Sequence, residues 1–144
     1  MKRVENILGW PMTESARLCI SSGTAFEVAV GYSRAVRVGN AVYVSGTTAM
    51  RDGQLVGHGD AAAQTRQILT NISWALTQAG ATMEDVVRCR IYVTDISQWQ
   101  AIGAELVQVF GDIRPANTLV EVSALIDPAM LLEIDADAVV GAGI

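Results

Sequence analysis

Residues 86–95, VVRCRIYVTD, decide the fold of this chain. Apolar side chains alternate with polar or larger ones, at Val87, Cys89, Ile91 and Val93. That period of two is typical of a β-strand with one buried face. Asp95 then stands before a helical pattern, where its carboxylate can cap the free amides of the first turn. The stretch predicts a strand that leads directly into a helix.

Amphipathic helices are predicted on both sides of this strand. The first is capped by Asp60, and Gly80 takes the left-handed position behind its last turn. Its apolar residues recur at helical spacing, at Ile68, Ile72, Ala75, Leu76 and Ala79. The second helix carries one apolar stripe, at Trp99, Ile102, Leu106 and Phe110, and ends at Gly111. Both helices can cover the same face of one sheet.

The remaining strands complete that sheet. Residues 33–45 predict a hairpin about Gly39-Asn40, and residues 17–21 a first strand. Asp52-Gly53 and Asp127-Pro128 are turn signals, and residues 117–122 and 132–139 predict the last two strands. The order strand, strand, (strand), helix, strand, helix, strand, strand indicates an α+β two-layer sandwich. We expect an N-terminal extension at residues 1–16 and one domain at residues 17–144.

The composition excludes several classes of protein. Of the 144 residues 51% are hydrophobic and only 17% charged, which excludes disorder and predicts apolar surface beyond what one small domain buries. We therefore expect an obligate oligomer that buries the open face of the sheet. The net charge is −5, with no basic run, so nucleic acid is not an expected partner.

Neither a membrane nor a metal is an expected partner. The longest uncharged stretch, residues 67–83, is interrupted by Thr and Asn side chains that are costly in hydrocarbon. Cys19 and Cys89 match no metal-binding or disulfide spacing, which favours a reduced cytoplasmic location. His58, the single histidine, lies in a Gly-His-Gly loop and is interpreted as exposed. Because no phosphate-binding glycine motif occurs either, we expect no cofactor.

Carboxylates, hydroxyls and arginines remain as candidates for chemistry. Glu133, Asp135 and Asp137 share one face of the last strand. One of them, buried at a cleft, can act as acid and base. A solvated face paired with Arg88 and Arg90 is the favoured interpretation for the two aspartates.

Three loop regions are further candidates. Ser45-Gly46 ends a strand with amides that can bind an oxygen, and Tyr32 and Arg34 lie before a strand. Arg114 can hold a carboxylate in bidentate geometry. An ordinary strand-to-loop junction explains Ser45-Gly46 equally well, and a surface position is the alternative for Tyr32 and Arg34. For Arg114 an ordinary surface position is the more frequent case.

Taken together these segments resemble the reactive intermediate deaminase family (RidA/YjgF, also called the L-PSP endoribonuclease family) over about residues 17–140. The matching segments are residues 31–36, 39–46, 64–67, 71–72, 79–80, 86–88, 91–95, 114–116 and 132–134. The resemblance implies a chorismate-mutase-like α+β fold, one mixed sheet covered by two helices, and a homotrimer with clefts between neighbouring subunits. It also implies hydrolysis of small imines or enamines to ketoacids and ammonia.

The resemblance assigns roles to individual residues. Glu133 matches the glutamate that handles water, while Tyr32, Ser45 and Gly46 match groups that line the cleft. The family's arginine, which holds the substrate carboxylate, is replaced by Asn117. An amide cannot form a charged bidentate pair. Arg114 is a further substrate-binding candidate, although three residues along an extended strand point it to the opposite face.

Three functions remain after this comparison of residues. The favoured one is a deaminase-like hydrolase with a shifted substrate, which turns over 2-iminobutanoate poorly because Asn117 replaces the arginine. The alternative is a non-catalytic trimer that binds a metabolite or acts as a chaperone-like or regulatory partner. Ribonuclease activity is disfavoured by the negative net charge.

Overall fold

A computed structural model describes residues 16–143 and contains eight strands and three α-helices in that range. The strands are β1 (Leu18–Ile20), β2 (Ala35–Val38), β3 (Ala41–Thr47), β4 (Met50–Arg51), β5 (Gln54–Leu55), β6 (Val86–Val93), β7 (Ala116–Glu121) and β8 (Leu132–Val139). The helices are α1 (Ala25–Val30), α2 (Ala61–Gln78) and α3 (Trp99–Phe110), with short 3₁₀ turns at Met83–Asp85 and Ile96–Gln98. The predicted extension lies outside the described residues, apart from Ala16.

Six of the strands form one mixed sheet in the order β1-β2-β3-β8-β6-β7. Only the β6–β7 pair is parallel within this sheet, because helix α3 carries the chain across between them. Strands β4 and β5 form a separate small hairpin. The α+β sandwich with one mixed sheet is therefore confirmed.

Local signals explain where the elements begin and end. Gly39-Asn40 forms the turn between β2 and β3. The Asp60 carboxylate accepts a hydrogen bond from the Ala63 amide at 3.0 Å, which caps α2. Behind α2, Gly80 has a φ of 80°, a left-handed conformation that costs glycine no Cβ clash.

The core lies between the sheet and the two long helices. Ile68, Ile72 and Leu76 of α2 are fully buried against it. Along β8 the alternate residues Leu132, Ile134, Ala136 and Ala138 face the same core. Burial of each large aliphatic side chain contributes roughly 1.5–3 kcal/mol. Helix α2 therefore covers the face of the sheet opposite to the one that carries Glu133.

Within residues 16–143 no helix has the length and apolar character needed to cross a membrane.

Three local features differ from the sequence pattern. Val87 is exposed, because the register of β6 against β8 shifts between Val86 and Arg88 and breaks the period of two there. Trp99, predicted on the buried stripe of α3, is also exposed. Helix α1 has no counterpart among the predicted elements.

Candidate functional site

A cavity of about 830 Å³ opens where β8 begins and the neighbouring strand β3 ends. Its walls come from the β1–α1 loop, α1, the end of β3, the β4–β5 hairpin, α2 and the loop before β8. Tyr32, Gly46 and Glu133, three of the predicted site residues, line it together. The volume fits a small organic ligand.

Glu133 presents a half-buried carboxyl group to this cavity. Burial raises its pKa above the usual value, and the negative charge of Asp135 adds to the effect. The positive charge of Arg34 acts in the opposite direction without cancelling the increase. A carboxyl with a raised pKa takes and returns a proton at a higher pH than an ordinary glutamate does.

Gly46 allows this carboxyl to sit where it does. Strand β3 shifts register against β8 between Val44 and Thr47, so Ser45 and Gly46 lie in a bulge. A Cβ atom on Gly46 would lie 2.8 Å from Cδ of Glu133. Only glycine leaves room for the carboxyl in its present position.

Arg34 forms the inner wall beside Gly46. Its guanidinium is buried and donates from Nη1 to the Gly46 carbonyl at 2.7 Å and to Thr47 Oγ1 at 3.2 Å. From Nη2 it donates to the Tyr32 hydroxyl at 3.2 Å, and it lies 5.5 Å from the centroid of the Tyr32 ring. Arg34 therefore links Tyr32 to the loop that holds Glu133.

Glu27 of α1 lies next to Arg34 and stabilises the adjacent part of the cavity wall. Its buried carboxylate accepts hydrogen bonds from the Ser22 amide and hydroxyl, and from Thr24 Oγ1 at 2.9 Å. Burial alone would raise the Glu27 pKa, but the hydrogen bonds outweigh it and hold the pKa below its usual value. Glu27 Oε2 also lies 3.9 Å from Nε of Arg34. The ionised Glu27 ties α1 and the β1–α1 loop into the cavity wall.

Three other predicted residues do not line this cavity within one chain. The Ser45 hydroxyl donates to the Ser33 carbonyl at 2.6 Å. Asn117 pairs with Cys89 on the edge strand β7, so β6 separates it from β8. Arg114 lies beside a second recess of about 220 Å³ and has a φ of 54°. The expectation that Arg114 points to the opposite face of the strand does not apply, because Arg114 precedes β7, which begins only at Ala116.

The two aspartates that share the Glu133 face of β8 have a structural role. Arg90 lies 3.0 Å from the carboxylate of Asp135 and 3.2 Å from that of Asp137. The Tyr92 hydroxyl donates to Asp135 at 3.1 Å. This pairing is the one favoured for the two aspartates, although Arg88 takes no part in it. His58 is exposed, as interpreted.

Sequence reasoning missed the placement of Arg34, for which it kept a surface position as the alternative. Arg34 precedes β2, and both it and Ala35 are buried, so no alternation marks it. Its partners in the β3 bulge come from the tertiary structure. The single signal in the sequence is an arginine two residues after Tyr32, in a segment that resembles a family motif.

The fold and the cavity define a class: small α+β proteins with helices on one face of a mixed sheet and a carboxyl-lined pocket at the end of its central strands. The chain belongs to the Endoribonuclease L-PSP family, whose model matches residues 22–140. Membership supports a deaminase-like or small-molecule-binding role.

Individual relatives agree with this assignment. The crystal structure of Rv2704 from Mycobacterium tuberculosis, a member of the YjgF/YER057c/UK114 family, is 57% identical with a TM-score of 0.79, covering 86% of this chain and 99% of that one. YyfA of the Rid protein family, from Yersinia pestis, is 35% identical with a TM-score of 0.78, covering 87% and 100%. The 3-aminoacrylate deaminase RutC of Acinetobacter baylyi is 38% identical over 104 residues, 72% of this chain and 82% of the relative.

Proposed function

We propose that this protein hydrolyses a small imine or enamine to a carbonyl compound and ammonia, with Glu133 as the acid and base. The observation that carries the proposal is the half-buried Glu133 carboxyl on a cavity wall, with its pKa raised by burial. The similarity to a relative named 3-aminoacrylate deaminase supports the same reaction class.

The proposed reaction uses Glu133 twice. An enamine first takes a proton at carbon, or an imine takes one at nitrogen, and either becomes an iminium ion. Ionised Glu133 then removes a proton from water, and the hydroxide adds to the iminium carbon to give a neutral carbinolamine. Glu133 returns that proton to the nitrogen, the carbon–nitrogen bond breaks with its electrons on nitrogen, and ammonia leaves. The carbinolamine hydroxyl loses its proton to solvent as the carbonyl forms, and Glu133 is left ionised.

The working unit in this proposal is a homotrimer with clefts between neighbouring subunits. The apolar residues around the cavity support it, since Val30 is 69% and Ile126 70% exposed in a single chain. Asn117 lies away from the cavity of its own chain, so a neighbouring copy is needed to bring position 117 to the cleft. With Asn117 in place of an arginine, the substrate differs from that of arginine-bearing relatives.

The test is ammonia release in a coupled assay over a panel of freshly generated imines and enamines. We expect turnover of at least one member of the panel and slow turnover of 2-iminobutanoate. Glu133→Ala and Glu133→Gln should each lower kcat/KM by roughly 10²–10⁴-fold, the usual contribution of general acid–base catalysis. Glu105→Gln changes a surface carboxylate paired with Arg66 and should leave the rate unchanged.

The pH profile gives the same test an independent readout. Because the Glu133 pKa is raised, its base form is lost at a higher pH than that of an ordinary glutamate. We expect kcat/KM to fall as the pH decreases through this raised pKa. The fall should therefore occur at a higher pH than the ordinary glutamate pKa of about 4.3. Unchanged turnover in Glu133→Gln, or 2-iminobutanoate turnover equal to that of an arginine-bearing relative, would contradict the proposal.

A non-catalytic trimer that binds a metabolite is the second candidate, and the uncharged Asn117 is the feature that favours it. It predicts no ammonia release from any substrate in the panel, together with ligand binding that survives in Glu133→Gln. RNA cleavage is not proposed, because the net charge of −5 opposes binding of a polyanion.

A further inference from the structure

We propose that Arg34 and Asp135 are positioning residues that act through Glu133, because their opposite charges flank its carboxyl and each charge is held in place by an ion pair. Arg34 is paired with Glu27, and Asp135 is paired with Arg90. For catalysis this rests on the proposed function, whereas the titration of Glu133 in the protein alone depends on no turnover.

Arg34 lies on the β3 side of the Glu133 carboxyl. Its Nη1 donates to the Gly46 carbonyl at 2.7 Å, and a Cβ atom on Gly46 would lie 2.8 Å from Cδ of Glu133. The guanidinium is therefore bound to the same residue that the carboxyl touches. Its Nε lies 3.9 Å from Oε2 of Glu27, whose carboxylate is fixed in turn by hydrogen bonds from the β1–α1 loop. Because this guanidinium is buried, solvent screens its charge only weakly.

Asp135 lies farther along the strand that carries Glu133. The two acids are two residues apart on one face of β8, which separates them by about 7 Å along the strand. Asp135 accepts hydrogen bonds from Nη1 of Arg90 at 3.0 Å and from the Tyr92 hydroxyl at 3.1 Å. Tyr92 is also the direct neighbour of Glu133 in the register between β6 and β8. Two donors from β6 therefore hold the Asp135 carboxylate next to Glu133.

The other ionisable groups around this carboxyl are exposed or uncharged. Arg51 and Asp52 of the β4–β5 hairpin line the same cavity, but both are exposed, so solvent and salt screen their charges. The hydroxyls of Tyr32 and Tyr92 are neutral groups. Among the described residues, the two charges held by ion pairs therefore act most strongly on the carboxyl.

The two charges have opposite effects on the proton affinity of Glu133. Arg34 favours the ionised carboxylate and lowers the Glu133 pKa, whereas Asp135 disfavours it and raises the pKa. Burial also raises this pKa, so without Arg34 both remaining effects would favour the neutral acid. Without Asp135, the charge of Arg34 would act against burial alone. The balance between the two residues therefore sets the pH at which Glu133 becomes a base, and with it the pH range of the proposed catalysis.

The experiment titrates the Glu133 carboxyl by carbon-13 NMR in the protein alone and compares its midpoint with that of the pH profile of kcat/KM. Asp135→Asn should lower both midpoints by roughly 0.4–1 pH unit, the effect of one charge at about 7 Å in a largely aqueous surrounding. Arg34→Gln should raise both, and Arg34→Lys, which keeps the charge, should raise them less. Asp137→Asn is the matched control, because Asp137 binds the same Arg90 but lies four residues from Glu133. It should shift the midpoints by less than half as much as Asp135→Asn does.

Three results would overturn the proposal. The first is a Glu133 midpoint that stays the same or rises in Asp135→Asn, a substitution at a half-buried position that does not require the buried Arg34 to be changed. The second is an equal shift in Asp135→Asn and Asp137→Asn, which would reflect the net charge of the sheet face. The third is a midpoint that falls in folded Arg34→Gln. The expected shifts without ammonia release from any imine or enamine would contradict the proposed function and leave both positioning roles standing.

Discussion

Gly46 sets the position of the Glu133 carboxyl, and that dependence can be tested with one methyl group. In Gly46→Ala the new Cβ would lie 2.8 Å from Cδ of Glu133, so the carboxyl must rotate away. We expect kcat/KM to fall at least tenfold, since a misplacement of about 1 Å can cost 10²-fold. The free energy of unfolding should fall by only about 1 kcal/mol, because the displaced atoms end a flexible side chain.

A double-mutant cycle separates this contact from other effects of the methyl group. In a Glu133→Ala background the carboxyl is absent, so adding Gly46→Ala should cost no further stability. If Gly46→Ala destabilises both backgrounds equally, the contact with Glu133 does not explain why glycine is needed.

The residues of the site differ in how far the sequence predicts them. Tyr32, Gly46 and Glu133 were predicted through motif positions, because each lies in a segment that resembles a family pattern. Arg34 lies in the same segment, but its role depends on the Gly46 carbonyl, which the β3 bulge turns toward it. A bulge is a departure from regular spacing, so periodicity does not predict it.

At the scale of elements, strong local signals predict the structure and weak ones do not. The α2 cap at Asp60 and the left-handed Gly80 are set by backbone chemistry that neighbouring residues supply. Helix α1 has only six residues, too few to show a period, and Thr24 makes no side-chain capping bond to it. Contacts of Glu27 with Ser22 and Thr24 stabilise it instead.

The loop before β8 is fixed to α2 by one buried side chain, Gln64, which is 0% exposed. Its Nε2 donates to the carbonyls of Gly57 at 3.1 Å and Ala129 at 2.9 Å. Its Oε1 accepts from the Leu131 amide at 2.9 Å. This loop contributes part of the cavity wall, so Gln64 positions the segment that leads to Glu133.

Gln64→Leu keeps the side-chain volume similar and leaves the Ala129 carbonyl and the Leu131 amide without partners, whereas the Gly57 carbonyl keeps its bond from the Asp60 amide at 3.0 Å. We expect a loss of roughly 2–4 kcal/mol in the free energy of unfolding, measured by urea denaturation, since buried unsatisfied groups cost about 1–3 kcal/mol each. Gln78→Leu, at an exposed position of the same helix, should change stability by less than about 0.5 kcal/mol. Similar effects at both positions would contradict the assigned role of Gln64.

At the scale of the whole molecule, the apolar excess is distributed in a particular way. The open sheet face carries the Arg90 cluster with Asp135 and Asp137, so it is not uniformly apolar. Strongly exposed aliphatic residues instead include Val28 and Val30 of α1 and Ile126 near the cavity. A neighbouring subunit that covers this rim would bury them and narrow the cavity at the same time.

Two measurements test the oligomer: its mass in solution, and the effect of a substitution that introduces one charge at this rim. We expect sedimentation to give three times the 15.3 kDa of the chain. Ile126→Glu should shift the population toward smaller species and weaken ligand binding, because it places a charge in a surface that association desolvates. Val107→Glu, at an exposed position on α3, is the matched control and should remain trimeric. A wild-type monomer that still hydrolyses imines would show that one chain completes the site, which would remove any role for a neighbour's Asn117.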